Sequence, residues 1–246
     1  MNIEHQFSTL RLHGMHHQWM GIKHSSGVGT LSLPEGLELL LAAEAEHRQH
    51  SRTQRLIKTA GFRYQASLSE IHYPPQRSGV KNTIHLLASG EFIEKGQAVL
   101  ITGATGCGKS YIASALGYQG CLMGYKTLYF NMQKLILRLN MARADGTIIK
   151  FFDTLAKTHL LILDDFGLTP LQGQPRLDLL EIVEDRHGRK ATIIASQLPV
   201  ANWYDAIGEN TIADYPHFLI MRSNQTTSVV IQQLSSNNSQ TTSHNI

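Results

Sequence analysis

The segment Ala98–Tyr111 constrains the fold of this chain more than any other part of the sequence. It reads AVLITGATGCGKSY, in which a short apolar run is followed by a glycine-rich loop and then by a helical pattern. The loop has the form GxxxxGK[ST], with the strand before it and the helix after it that this motif requires. The backbone N–H groups of such a loop, together with the helix N-terminus, bind phosphate. The predicted nucleotide-binding residues are Gly103, Ala104, Thr105, Gly106, Cys107, Gly108, Lys109 and Ser110.

Two carboxylates follow a second apolar run at residues 160–163. Because ligands bind at the carboxyl ends of parallel strands, we expect Asp164 and Asp165 to lie beside the phosphate loop. Ser110 and Asp164 would hold Mg²⁺, and Asp165 would polarise an attacking water. A glutamate would reach one methylene, about 1.5 Å, further than Asp165. Since proton abstraction depends on reach, we expect hydrolysis to be slow.

Strand and helix patterns alternate from residue 98 to residue 196. This alternation predicts an α/β fold, in which a parallel sheet is flanked by helices, of the P-loop NTPase class. Strands are expected at residues 98–101, 126–130, 160–163 and 191–196. Gln197 follows the last of them, so we expect it beside the metal-binding strand, where it would hold the attacking water or sense the terminal phosphate.

Helical periodicity fills the first part of the chain, with helices expected at residues 2–20 and 35–60. We therefore predict a small all-helical N-terminal domain at residues 1–73, for DNA or partner binding. Two prolines and a glycine favour a linker at residues 74–79, before an ATP-binding domain at residues 80–222. Residues 223–246 contain 18 Ser, Thr, Asn or Gln residues out of 24 and no charged one, which predicts a disordered tail.

Four cations recur along the second predicted helix, at Arg48, Arg52, Arg55 and Lys58. Their spacing of four, three and three residues places them on one stripe. Such a stripe is either a solvated surface or a contact with the phosphate backbone of nucleic acid, which needs cations in register but no base reading. The sequence alone leaves both interpretations open.

Composition excludes several other classes of protein. The 246 residues carry a net charge of +3, which permits an anionic partner without requiring one. Two cysteines do not suggest a disulfide framework, and the histidines at 13, 16 and 17 have no acidic or cysteine ligand nearby. With no apolar run of 18 residues and no N-terminal signal segment, we expect a soluble, cytoplasmic protein without a membrane partner.

Three stretches resemble the IstB-like transposition helper ATPases of bacterial insertion sequences, a branch of the AAA+ superfamily related to the DnaC helicase loaders. They read LITGATGCGKSYIASALG, HLLILDDFGLTPL and ATIIASQLPVANWYDAIGENTIAD, and the resemblance covers residues 1–214. Many NTPases share the phosphate loop. The combination of Asp-Asp-Phe-Gly-Leu at 164–168 with Ser-Gln-Leu-Pro at 196–199 is much more specific.

The resemblance implies an AAA+ protein that binds ATP and Mg²⁺ and forms a homo-oligomer on duplex DNA. It would recruit or activate a cognate transposase in DNA recombination, and the family favours DNA contact by Arg48, Arg52 and Arg55. The resemblance also implies an arginine finger that acts across a subunit interface, with Arg186 and Arg189 as candidates. Alternatively, either arginine is a cation at the C-terminal end of a helix, where it interacts with the dipole.

The sequence departs from the family after Asp214. Relatives continue with a helix that carries a second sensing arginine, whereas this chain continues through Tyr215 and Pro216 into the polar tract. Arg222 could substitute, but Pro216 disfavours a regular helix there. A change of reading frame after Asp214 would explain the abrupt change in composition.

Two alternative functions stay open at this point. One is helicase loading at replication, as in DnaC-like proteins, although the Ser-Gln-Leu-Pro run favours transposition. The other is a hydrolysis-deficient nucleotide switch, which the aspartate at 165 and the atypical C-terminus favour.

Overall fold

Five parallel strands form a sheet in the order β2-β3-β4-β1-β5 in the computed structural model, which describes residues 2–25, 31–73, 78–203 and 226–231. The strands are β1 (Ala98–Gly103), β2 (Thr127–Asn131), β3 (Leu160–Phe166), β4 (Ala191–Ser196) and β5 (Thr226–Ile231). The first four correspond to the strands that the apolar runs predict. Their parallel pairing confirms the predicted class of fold.

Both faces of this sheet are buried. Successive strand residues point to opposite sides, and apolar side chains on each side pack into a separate cluster. Val99 and Ile101 of β1 belong to one apolar cluster, whereas Leu100 between them belongs to the other. Helices α4 (Ser78–Ala88), α5 (Glu91–Glu94) and α6 (Lys109–Leu122) cover the first face. Helices α7 (Met132–Ala144), α8 (Ile148–Ala156) and α9 (Gln174–Arg186) cover the second. Each fully buried Leu or Ile contributes about 1.5–3 kcal/mol.

The ladder between β3 and β4 changes register at the carboxyl end of the sheet. Leu163 pairs with Ile194, but the next pair is Phe166 with Ser196, so the two aspartates between them lie outside the regular ladder. Asp165 has a φ of 57°, in the left-handed region. Irregularities of this kind redirect side chains at the ends of strands.

Three helices form the N-terminal part of the chain: α1 (Ile3–Thr9), α2 (His13–His24) and α3 (Leu33–Ala60). The prediction of one helix over residues 2–20 is wrong, because the chain breaks after α1. Arg11 has a φ of 57° and its N–H donates to the Ser8 carbonyl, while the Leu12 N–H donates to the Phe7 carbonyl. This pair of hydrogen bonds is a Schellman motif, with arginine where glycine is usual.

Helices α2 and α3 approach each other closely at Gly14. A Cβ at this position would lie 2.4 Å from the Ala43 carbonyl oxygen, so only glycine fits. The Glu44 carboxylate accepts hydrogen bonds from the N–H groups of Gly14 and Met15, at 2.8 and 3.2 Å, and its other oxygen accepts from Arg48 Nε at 2.7 Å. Glu44 therefore caps the start of α2 from within α3.

The chain divides into two compact units, Met1–Thr59 and Ala60–Ile246. The sequence analysis places the boundary later, at residues 74–79, of which 74–77 lie outside the described residues. Apolar side chains between the two positions pack against the first face of the sheet: Phe62, Leu68, Ile71 and Tyr73. Residues 60–73 are therefore part of the unit that contains the sheet.

The tail prediction needs a correction at residues 226–231. These residues form β5, which pairs with β1 in parallel from Ala98–Thr226 to Gly103–Ile231. The sequence Thr-Thr-Ser-Val-Val-Ile contains five β-branched residues, which favour a strand even inside a polar tract. The rest of the predicted tail, and the departure from the family at residues 214–222, lie outside the described residues.

Replacing Glu44 with Gln should destabilise the unit Met1–Thr59 in a pH-dependent way. Burial alone would raise the pKa of Glu44, but hydrogen bonds from Arg48, Met15 and Gly14 lower it below its usual value of 4.5. Its stabilising effect is therefore present above that value and is lost as pH falls through the lowered pKa. At pH 7 we expect Glu44→Gln to reduce the free energy of unfolding by about 1–3 kcal/mol.

The measurement is urea denaturation followed by Trp19 fluorescence in a Trp203→Phe background, because these are the chain's two tryptophans. Glu46→Gln, at an exposed position of the same helix, is the matched control. A loss of stability that is equal for both variants, or that persists below pH 3, would contradict the capping role.

Candidate nucleotide-binding site

The phosphate loop joins β1 to α6 and turns on two glycines. Gly106 and Gly108 have φ values of 78° and 95°, and a Cβ at either would meet no atom within 4 Å. Lys109 begins α6, is buried, and its Nζ donates to the Ala104 carbonyl at 2.7 Å. The ammonium group is thus held at a loop whose helix N-terminus favours an anion.

Asp164 is the buried carboxylate at the end of β3, with 1% of its side chain exposed. It accepts hydrogen bonds from the Tyr129 hydroxyl and from the Asp165 N–H, the latter at 2.9 Å. Burial and the hydrogen bond to Asp164 raise the pKa of Tyr129, which keeps this hydroxyl a donor. A buried carboxylate favours a nearby cation, and carboxylate and hydroxyl oxygens are ligands that suit Mg²⁺. Asp164 and the Ser110 hydroxyl in the first turn of α6 therefore fit the predicted metal ligands.

Asp165 is held by two donors on the same oxygen. Its Oδ2 accepts from Asn131 Nδ2 at 2.7 Å and from Arg63 Nη1 at 3.1 Å. The side-chain Oδ1 of Asn131 also accepts a hydrogen bond from the Gln133 N–H and so caps α7. Asn131 pairs with Asp164 in the sheet, which places the end of β2 beside both aspartates.

Gln197 directly follows β4, which lies between β1 and β3. Its Oε1 accepts a hydrogen bond from the Thr105 hydroxyl of the phosphate loop at 2.6 Å. The preceding Ser196 donates to the Phe166 carbonyl and accepts from the Leu198 N–H, so it ties the ends of β3 and β4 together. The structure therefore brings Gln197 to the phosphate loop at the edge of the sheet that also carries Asp164 and Asp165.

A cavity of about 220 Å³ adjoins the phosphate loop. Its wall is formed by residues 70–73, Val80 of α4, Cys107 and Gly108 of the loop, and Tyr111 and Ile112 of α6. The Tyr111 hydroxyl donates to Glu70 at 2.9 Å and so fixes that segment to α6. A mainly apolar cavity next to a phosphate site suits a nucleotide base.

The match to a known family decides what this site is. Residues 5–232 match the family described as IstB-like ATP binding protein. The chain belongs to this family. It is also 38% identical over 209 residues to an insertion sequence ATP-binding protein of Sinorhizobium fredii, y4pL, covering 85% of each chain. The ATP-binding protein of insertion sequence IS1162 from Pseudomonas fluorescens is 40% identical over 200 residues, which cover 79% of this chain and 84% of that protein.

The fold of this chain is similar to that of several solved structures. The DnaC helicase loader superposes with a TM-score of 0.58 at 23% identity, covering 68% of this chain and 97% of DnaC. DnaA bound to AMPPCP and single-stranded DNA superposes with a TM-score of 0.59 at 16% identity, covering 70% of this chain and 51% of DnaA. At these identities the likeness concerns the fold alone.

Arg186 is not positioned to act as an arginine finger, which corrects one of the two candidates for this IstB-like chain. It is 1% exposed. Its guanidinium donates to Thr192 Oγ1 at 3.0 Å, to the Thr158 carbonyl at 2.9 Å and to the carbonyls of Leu155 and Ala191. Burial lowers the pKa of Arg186 to about 10. A finger must reach a neighbouring subunit, and this side chain is instead bound inside its own fold. Arg189, by contrast, is exposed and stays a candidate.

The predicted DNA-binding cations are exposed on α3. At 100° per residue, Arg48, Arg52, Arg55 and Lys58 span an arc of roughly 120° on this helix. Arg48 also pairs with Glu44, so it has a structural role that the other three do not share among the described ion pairs. Across the described ranges, no helix is both long and apolar enough to span a membrane.

Three residues of the site were missed by the sequence analysis as contacts of the aspartates: Arg63, Tyr129 and Asn131. The last two could have been found, because adjacent parallel strands bring the end of β2 beside the end of β3. Arg63 is separated from Asp165 by 102 positions, and no local pattern connects them.

Replacing Arg186 with Met should destabilise the fold of the chain rather than impair a contact between subunits. The variant leaves buried carbonyls without their donor, so we expect the free energy of unfolding to fall by about 3 kcal/mol or more. The exposed Arg189→Met is the matched control, with an expected change within about 0.5 kcal/mol. Urea denaturation followed by circular dichroism measures both. An Arg186→Met variant as stable as the parent would refute the structural role.

Proposed function

We propose that this protein is an ATP-hydrolysing helper of DNA transposition for an insertion sequence. The observation that carries the proposal is the meeting of three groups at the carboxyl edge of the sheet: Lys109 in the phosphate loop, the buried Asp164, and Gln197 bonded to Thr105. The family and the insertion sequence relatives support the biological setting.

In this proposal the loop at residues 103–110 binds the phosphates of ATP, and the adjoining cavity takes the base. Lys109 would exchange its bond to the Ala104 carbonyl for the β- and γ-phosphates. Ser110 and Asp164 would hold Mg²⁺, which neutralises charge on the phosphates when bound.

Hydrolysis then falls to Asp165 and Gln197. Asp165 would accept a proton from a water whose oxygen bonds to the γ-phosphorus as the bond to the bridging oxygen breaks, which releases ADP and phosphate. Gln197 would hold that water or the γ-phosphate. Arg189 is the proposed finger in a neighbouring subunit, and such a residue can contribute about 10³–10⁵ in rate.

Duplex DNA is the proposed partner of α3, through the stripe of Arg48, Arg52, Arg55 and Lys58. A stripe of exposed cations on a single helix supports contact with a phosphate backbone and does not require a base sequence. Self-assembly with ATP and recruitment or activation of a transposase complete the proposal, by analogy with the role that the family resemblance implies.

A hydrolysis-deficient nucleotide switch is the second candidate function. One specific observation favours it: Arg63 and Asn131 both occupy Oδ2 of Asp165, a side chain that is already shorter than glutamate. If Asp165 cannot reach the water, ATP would bind without being consumed.

Measurement of steady-state ATP hydrolysis, with and without long duplex DNA, distinguishes the transposition helper from the nucleotide switch. We expect Mg²⁺-dependent turnover that DNA stimulates, and that Lys109→Ala lowers by about 100-fold or more because a positioned charge on the phosphates is lost. Lys95→Ala, at an exposed lysine paired with Glu91, is the control.

ATP binding without turnover under any condition would favour the switch. Stimulation by single-stranded DNA alone would instead favour a role in helicase loading. Loss of turnover in the Lys95→Ala control would mean that the assay reports folding rather than the phosphate loop.

If the cation stripe contacts phosphates, the double variant Arg52→Ala, Arg55→Ala should weaken binding to every duplex sequence. The slope of log affinity against log salt should become shallower by about two, one for each lost phosphate contact. These two arginines are preferred to Arg48, whose bond to Glu44 would confuse binding with stability.

The matched control removes two exposed cations elsewhere, Lys95→Ala with Lys157→Ala. It carries the same loss of charge but should leave the slope unchanged. Equal changes in both double variants would indicate a general charge effect and remove the stripe from the interface.

A further inference from the structure

Arg63 lies against the two carboxylates of the ATP site although nothing in the sequence connects it with them. We propose that Arg63 is a positioning residue for ATP hydrolysis, which holds the carboxylate of Asp165 in its working orientation. This inference rests on the proposed function, because it concerns the same hydrolysis step.

The geometry places the guanidinium between two charges. Arg63 Nη1 is 3.1 Å from Asp165 Oδ2 and 3.8 Å from Asp164 Oδ2. The side chain is 48% exposed, so it lies at the mouth of the site and not in the core. Its guanidinium also lies 5.5 Å from the centre of the Tyr64 ring, close enough for a cation–π contact that restrains it.

The carboxylate of Asp165 needs side-chain contacts to hold its orientation, because the backbone of this residue has an unfavourable conformation. A φ of 57° is uncommon for a residue other than glycine, and such conformations persist only where the surroundings determine them. Three contacts do so here: the N–H of Asp165 donates to Asp164, and Oδ2 accepts from Asn131 and Arg63. In the described part of the chain, the other carboxylate oxygen of Asp165 accepts no hydrogen bond. The arrangement thus assigns Oδ2 to positioning and Oδ1 to the water.

Charge explains why an arginine is suited to this place. Two adjacent carboxylates repel each other, and one cation beside both reduces that repulsion. A guanidinium also presents donors in a fixed plane, whereas a lysine ammonium on a flexible stem can replace the charge but not the geometry.

The experiment compares Arg63→Met and Arg63→Lys in the full-length chain. Methionine keeps an unbranched apolar stem and removes charge and donors, while lysine keeps the charge. Lys157→Met, at an exposed lysine paired with Asp153 on α8, is the control. Four quantities are measured for each variant: kcat for ATP, KM for ATP, the affinity for a fluorescent ATP analogue with Mg²⁺, and stability in urea.

We expect Arg63→Met to lower kcat about 10- to 100-fold, since a misplaced catalytic group costs this much. KM and the analogue affinity should stay within about twofold of the parent. The urea midpoint should stay close to that of the parent, because the Arg63 side chain is half-exposed and Asn131 still donates to the same oxygen. Arg63→Lys should recover part of the lost kcat, and Lys157→Met should change nothing.

Three results would overturn the inference while leaving the proposed function intact. The first is an unchanged kcat in Arg63→Met. The second is a raised kcat with tighter binding of the analogue in this variant, which would make Arg63 an inhibitory counter-ion. The third is an equal loss of analogue affinity and stability in this variant. If the parent chain itself shows no turnover that depends on Lys109, the proposed hydrolysis fails, and this inference fails with it.

Discussion

Burial of both faces of the parallel sheet is the constraint on which the site depends. The central residues of β1, β3 and β4 are 0–1% exposed, so polar side chains there would have no access to water. The polar side chains of a functional site are therefore confined to the ends of the strands. The phosphate loop, the two aspartates, Asn131 and Gln197 all lie where β1, β3, β2 and β4 end. A site built from four separate segments thus follows from how one sheet is packed.

The same constraint accounts for Arg186, whose guanidinium lies at the opposite end of β4. It binds the carbonyl of Ala191, the first residue of that strand, whereas Gln197 follows its last residue. At about 3.3 Å per residue the two ends are roughly 16 Å apart. Burial lowers the pKa of this guanidinium only to about 10, so it stays charged at neutral pH and saturates the carbonyls around it. Arg186 therefore closes the opposite edge of the sheet, and only the exposed Arg189 stays a candidate for the proposed finger.

Local sequence patterns predict most of the helices and strands. The features that they do not predict depend on tertiary contacts or on unusual backbone conformations. The apolar runs are long enough to indicate β1, β3 and β4, and the glycine spacing indicates the phosphate loop. The break between α1 and α2 was missed because Arg11 has a positive φ. A glycine usually occupies such a position and marks the end of a helix in the sequence. β5 was missed because polar composition outweighed its β-branched residues. The contacts of Arg63 and Arg186 could not be predicted from the sequence. The partners of Arg63 are distant in sequence, and those of Arg186 are mostly backbone carbonyls.

Asp165 shows how backbone geometry can compensate for a short side chain. An aspartate carboxylate ends about 1.5 Å closer to its own Cα than a glutamate carboxylate, so its position depends more on the backbone. Here the register shift between β3 and β4 and the left-handed φ of Asp165 take this residue out of the regular ladder. Such a conformation persists only where the surroundings hold it, and here Asn131 and Arg63 both donate hydrogen bonds to one carboxylate oxygen. These donors fix one oxygen, and among the described residues the other accepts no hydrogen bond, which is the arrangement that a short carboxylate needs if it is to act on water.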